Sequence, residues 1–265
     1  MSAALLLVLL LVLFLCNTPI AIAIGVASIG AIAITGDHSL MVAIQKMFGG
    51  ADSFHLMAVP LFMYAGLIME KGGISQRLID LANALVGWLP GGLAAVTVVS
   101  AMFFAGISGS AAAYTAAVGA LLIPAMKKSG YDSDFAGAVQ AAGGSIGVII
   151  PPSIPRIIFG FLTGASIGRL FAAGILPGIM IGLSLIVIAT MLSRKYGYGA
   201  ALSFSWANLF SNFVAANPAL GAPCIILGGI LGGIFTATES AAVAVFYSLV
   251  VGFFIHRELA LRDLS

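Results

Sequence analysis

The sequence predicts an all-α polytopic membrane protein, and three observations carry the prediction. Of its 265 residues 61% are hydrophobic, only 8% are charged, and the charges are gathered between long apolar runs. Soluble domains carry about 25% charged residues, so a soluble single-core fold is excluded. No Asp, Glu, Lys or Arg occurs in residues 1–36, 53–69, 81–126, 135–155, 170–193, 196–238 or 240–256. A spanning helix needs about 20 mostly apolar residues, and several runs hold two elements, which gives about seven to eight helices that cross or enter a membrane. The net charge of +2 comes without a basic run. Nothing could neutralise a series of phosphates, which excludes nucleic-acid binding. Cys16 and Cys224 lie in apolar runs, where a free cysteine serves as a small hydrophobe.

Residues 4–35 form a long apolar segment that lacks the basic start of a secretory signal and exceeds the usual length of its apolar core. Pro19, after Asn17 and Thr18, predicts a kink there. Residues 54–69 make a second span containing Pro60, ended by Glu70, Lys71, Gly72 and Gly73. From Ser75 to Trp88, Leu78, Leu81, Ala82, Leu85 and Val86 recur at helical spacing with Arg77, Asp80 and Asn83 on another side. This predicts a helix lying along the membrane interface. Residues 93–126 are apolar but divided at Gly106-Ile107-Ser108-Gly109-Ser110, which predicts two half-length helices meeting in a re-entrant hairpin. Residues 135–164 repeat the device around Pro151-Pro152-Ser153, since no continuous helix survives two successive prolines. A span over 170–193, an interfacial segment over 203–216, and spans over 219–236 and 240–256 complete the chain. Lys71, Arg77, Lys127, Lys128, Arg194, Lys195, Arg257 and Arg262 fall on one face of this layout, Lys46 and Arg169 on the other. Positive-inside bias puts the first group in the cytoplasm.

Non-helical backbone at membrane depth is tolerated only against protein, water or an ion. Two such interruptions match a design in which unwound carbonyls and half-helix ends bind ions and substrate near the midplane. Carbonyl oxygens suit a hard cation such as sodium. For the glycines alone, close helix packing is the competing reading. Arg156 stands between two charge-free runs, and its charge is costly at depth unless paired or met by an anion. It is the strongest pointer to an anionic substrate; pairing with Glu239 or snorkelling is the alternative. Gly106-Ile107-Ser108-Gly109 also has the form of an intramembrane serine protease motif, but such a serine needs a base in reach. The histidines His38, His55 and His256 fall at predicted span ends. With no base expected beside Ser108 the chain is not expected to be an enzyme, and no P-loop occurs, so ATP-driven transport by the chain itself is not supported.

The segments Phe54–Gly66 (FHLMAVPLFMYAG), Phe104–Ala111 (FAGISGSA), Ile123–Asp132 (IPAMKKSGYD), Ile146–Ile154 (IGVIIPPSI), Leu170–Gly178 (LFAAGILPG) and Gly229–Ala241 (GILGGIFTATESA) resemble the large membrane subunit of TRAP transporters, in order over essentially the whole chain. The resemblance implies an elevator-type secondary transporter of the bacterial or archaeal inner membrane. It implies coupling to sodium and import of an organic anion, a dicarboxylate, keto acid or sugar acid. A periplasmic substrate-binding protein would deliver that anion, and a small four-helix membrane subunit would complete the system. It further implies scaffold helices and an interfacial arm over 1–90, and a transport part over 91–164 with hairpin 91–127 and broken helix 132–164. A linking span and interfacial helix would follow over 165–216, and the start of a second, inverted repeat over 217–265. Sodium would meet main-chain oxygens of Ala105, Ser108, Gly147, Ile150 and Pro152, while Ser110, Ser153 and Arg156 would meet the substrate. Tyr114 stands where the family usually has aspartate, and Arg156 where an apolar residue is common. The second hairpin and second broken helix of the family do not occur in these residues, so the chain alone is expected not to transport.

Overall fold

The computed structural model describes residues 2–36, 39–199, 203–260 and 262, and every regular element among them is helical. The chain packs as two units, Met1–Ser53 and Phe54–Ser265.

The first unit holds α1 (Ser2–Leu15), α2 (Ile20–Thr35) and α3 (Leu40–Ala51). The expected kink near Pro19 is a full break. Asn17 takes a left-handed φ of 55°, which asparagine tolerates, and Pro19 then precedes the first residue of α2. Ala23, Ala27 and Ala31, one turn apart, are the buried residues of α2, a small-residue stripe of the kind that lets membrane helices approach closely. Helix α3 was not foreseen, because Lys46, Gly49 and Gly50 blur its apolar period. Ser39 starts it, accepting a hydrogen bond from the Met41 amide at 3.2 Å.

The second unit holds α4 (Ala58–Lys71), α5 (Ile74–Val86), α6 (Gly92–Ser108), α7 (Ala111–Lys128), α8 (Ser133–Ser145), α9 (Ile154–Thr163), α10 (Ile167–Tyr196), α11 (Trp206–Leu231) and α12 (Ala237–Val250). A 3-10 turn, Ile146–Val148, extends α8, and a π turn, Val251–Ile255, extends α12. Helices α4 and α12 run side by side in the same direction. The Thr238 hydroxyl donates to the Phe54 carbonyl at 2.8 Å where both begin, and Gly72 approaches Gly252 where both end. Phe62, Ile157, Phe171, Ile226, Ala241 and Ala244 form the buried core between them and their neighbours. Thr236 and Glu239 cap α12 reciprocally.

Helix α5 turns Ile74, Leu78, Leu81 and Ala82 inward, onto α6 and α11. The expected interfacial segment 203–216 and span 219–236 are instead one helix, α11, that runs through Pro218 and Pro223. Neighbouring helices cover both prolines: the Tyr247 hydroxyl donates to the Pro218 carbonyl at 2.8 Å, and Pro223 packs on Gly106. Three helices among the described residues are long and apolar enough to cross a membrane: α10, α11, and α12 with its π turn. Among the described residues, α1, α2, α6 and α9 are apolar but shorter.

The start of α6 and the ends of α7 and α10 gather at one end of the unit, where Gly91 meets Ser193 and Tyr131 meets Gly199. Lys127, Lys128, Arg194 and Lys195 therefore share that end. The rings of Tyr131, Phe135 and Tyr198 pack there at centroid distances of 5.0–6.0 Å, and the Tyr198 hydroxyl donates to the Asp132 carboxylate. Bonding to that carboxylate, with its negative charge close by, holds the Tyr198 phenol above its ordinary ionisation range. A raised folded pKa means that the stabilisation is complete below the unfolded value of about 10 and is lost as pH climbs through the folded one. In a 295 nm titration read as the difference from Tyr198→Phe, Tyr198 is expected to ionise later than an ordinary tyrosine, and Asp132→Asn to bring it back. Identical titrations with and without the Asp132 carboxylate would refute this.

Candidate functional site

The hairpin tip is shorter than the five-residue Gly106–Ser110 segment suggests. Helix α6 continues through Ser108, Gly109 turns the chain at φ 60° and ψ 11°, and Ser110 is the extended N-cap of α7. The Ser110 hydroxyl accepts from the Ala113 amide at 3.3 Å. The arms of 17 and 18 residues measure about 25–27 Å, so they are longer than the half-length helices expected.

The helix break follows from missing donors. In a continuous helix the amides of residues 151 and 152 would bond the carbonyls of Gly147 and Val148, but both residues are proline and have no N–H. The Ser153 hydroxyl replaces one of them, donating to the Val148 carbonyl at 2.8 Å. The Ile154 amide bonds the Gly109 carbonyl at 3.4 Å instead of returning to Ile150. Among the described residues, no donor reaches the carbonyls of Gly147, Ile150 or Pro152.

Tip and break touch through their main chains. A Cβ at Gly109 would lie 2.7 Å from the Pro152 carbonyl oxygen, and a Cβ at Gly147 would lie 3.2 Å from Ala111 Cα. The structure thus brings together the two segments that hold Ala105, Ser108, Gly147, Ile150 and Pro152; the Ser108 side chain lies outside the described residues. Among the described residues no three His, Cys, Asp or Glu side chains gather as a metal site.

The three substrate candidates are placed differently from one another. Ser110 caps α7 and lines a mainly apolar cavity of about 90 Å³ with Met63, Leu67, Phe104 and Tyr114. Ser153 is fully buried, its proton committed to Val148. Arg156 reaches α10, where Nη1 donates to the Leu170 carbonyl at 3.3 Å and lies over Gly174. The alternative pairing of Arg156 with Glu239 does not form, because the Glu239 carboxylate accepts from the Thr236 amide and hydroxyl, each at 2.8 Å. His55 lines a cleft with Gly164, Ser166 and Thr236, His256 follows the π turn, and His38 lies outside the described residues.

Sequence reasoning missed the wall behind the break. Gly174, Gly178 and Gly182, spaced one turn apart on α10, receive Arg156, Ile150 and Met102 respectively. The four-residue glycine spacing was the available signal, since small residues at that period mark close helix contacts.

A family model described as the tripartite ATP-independent periplasmic transporter, DctM component, matches residues 7–265. The isethionate TRAP transporter permease protein of Oleidesulfovibrio alaskensis is 46% identical over 245 residues, 92% of this chain and 39% of that protein. The 2,3-diketo-L-gulonate TRAP transporter large permease protein of Escherichia coli is 46% identical over 220 residues, covering 83% and 52%. The C4-dicarboxylate TRAP transporter large permease protein of Vibrio cholerae is 39% identical over 260 residues, covering 98% and 57%. The chain spans about half the length of the curated relatives it matches, from 39% to 58%. These relatives are transporters and not enzymes, which sets aside the hydrolase reading of Ser108. With the family match running through both the hairpin and the proline break, the chain belongs to the TRAP transporter family as a large permease of the DctM type.

Proposed function

We propose that the chain supplies the membrane-embedded, substrate-translocating part of a sodium-coupled TRAP importer. Its substrate is an organic anion, a dicarboxylate, keto acid or sugar acid. A periplasmic binding protein delivers the anion, a small four-helix membrane subunit completes the system, and the site of action is the bacterial or archaeal inner membrane. The names of the relatives, which cover isethionate, a diketogulonate, C4-dicarboxylates and sialic acid, support the organic-anion class.

One observation carries the reading: the tip closes on the break through backbone, and the carbonyls of Gly147, Ile150 and Pro152 have no donor among the described residues. Carbonyl dipoles left unpaired at membrane depth are costly and suit a hard cation. In this reading Ala105 and Ser108 add oxygens from the hairpin. Ser110 and Arg156 meet the anion, with Nη1 of Arg156 anchored on Leu170 and its remaining N–H groups turned to a carboxylate, and Ser153 joins them only by giving up its bond to Val148. Residues 91–164 move as an elevator against the scaffold of residues 1–90, 165–216 link, and 217–265 open the second repeat.

Sodium chloride titrated against choline chloride at constant ionic strength is expected to raise the melting temperature of the purified chain, because a ligand of the folded state stabilises it by mass action. Equal stabilisation by choline would overturn the ion site. For the anion, Arg156→Met is expected to lower binding-protein-dependent uptake by the assembled system about tenfold or more, through loss of a charge-assisted contact. The exposed Arg169 should tolerate the same change. Equal losses would make Arg156 a structural tie between α9 and α10.

A further inference from the structure

We propose that Tyr114 is a positioning residue, a cross-brace that fixes the register of the two hairpin arms and thereby holds the tip against the helix break. Tyr114 lies one turn past the tip on α7 and is 1% exposed. Its hydroxyl donates to the Thr97 carbonyl of α6 at 2.5 Å, and its ring packs on Phe104 at a centroid distance of 5.7 Å. Thr97 lies twelve residues ahead of Gly109, about 18 Å down the arm, so one side chain ties the tip-proximal turn of α7 to a deep level of α6.

The same level holds the broken helix. Gly143 of α8 faces the Thr97 carbonyl, and the Gln140 side chain fills the space over Gly119 of α7 while its Nε2 donates to the Thr115 carbonyl at 3.3 Å. A longer contact also runs between the arms, from the Thr97 hydroxyl to Met126 sulfur at 3.7 Å, and Val99, Val118 and Leu122 pack in one core with Tyr114. Sliding one arm along the other would carry Gly109 off Pro152, and the Tyr114–Thr97 bond opposes that slide.

The sodium readout below rests on the proposed ion site; the exchange readout does not. Tyr114→Phe keeps the ring and removes the bond. Tyr247→Phe serves as control, because it removes a comparable tyrosine–carbonyl bond, to Pro218, between α11 and α12. Net hydrogen-bond contributions of about 0.5–1.5 kcal/mol correspond to a rise of about three- to tenfold in the sodium concentration for half-maximal thermal stabilisation. That rise is expected in Tyr114→Phe and not in Tyr247→Phe. Amide hydrogen exchange at Gly109–Ala113 should also quicken about threefold or more in Tyr114→Phe alone. Unchanged exchange at the tip, or equal effects in both variants, overturns the brace. Quickened exchange in a protein whose wild type does not respond to sodium keeps the brace and refutes the ion site.

Discussion

Replacing Gly109 by alanine is expected to abolish the sodium-dependent stabilisation that the proposed ion site entails, while the helices remain. Two costs coincide at this position. A left-handed φ of 60° disfavours any residue with a Cβ, by about 1–2 kcal/mol. The new Cβ would also lie 2.7 Å from the Pro152 oxygen and 3.3 Å from its carbon. Those atoms are main chain, so no rotamer change relieves the clash; the hairpin has to retreat from the break. Together the costs reach about 2–4 kcal/mol, in the upper range for a single substitution. Gly164 separates the two, because it has a φ of 70° and a Cβ there would meet no atom within 4 Å. Gly164→Ala should therefore lose stability through φ alone and keep its sodium response. A Gly109→Ala protein that melts and binds sodium as Gly164→Ala does would show that tip and break need no contact.

The largest loss of stability is expected from Phe62→Ala, with no change of ion affinity. Phe62 is fully buried on α4, in the core that includes Phe171, Ile226 and Ala241. In a membrane the alternative to this core is hydrocarbon, so what is lost is mainly packing contact and not burial from water. The cavity still dominates, and truncation of a buried phenylalanine costs about 3–5 kcal/mol. The unfolding free energy of Phe62→Ala in detergent should fall by that order, and the milder Phe62→Leu should keep the wild-type sodium midpoint. A shifted midpoint in Phe62→Leu would place the ion response in this core instead of at the tip.

The proline break was legible because its cause is local: two adjacent residues without N–H groups end a helix wherever they stand. The tip was legible as a position but not as a shape, since whether Gly106 or Gly109 makes the turn depends on what each glycine faces. Gly106 faces Pro223 and stays helical, and Gly109 faces Pro152 and turns. Helix α11 was misread because a sequence shows that Pro218 and Pro223 lack donors but not that neighbouring helices pack on both. The direction of Arg156 was hidden for the same reason. Its resting place is made by Gly174, eighteen residues further on, and no local pattern records that distance.

The apposition of Gly109 with Pro152 is written in main-chain atoms, and this has a consequence for how such a protein can diverge. A contact made by backbone is indifferent to most side-chain replacements around it; the glycines that permit the approach, the prolines that release the carbonyls and the Tyr114 brace beside them are what is held in place. Neighbouring positions such as Ser110 and Arg156 are then open to drift or retuning, so in the proposed importer the groups that meet the anion could change without rebuilding the joint itself.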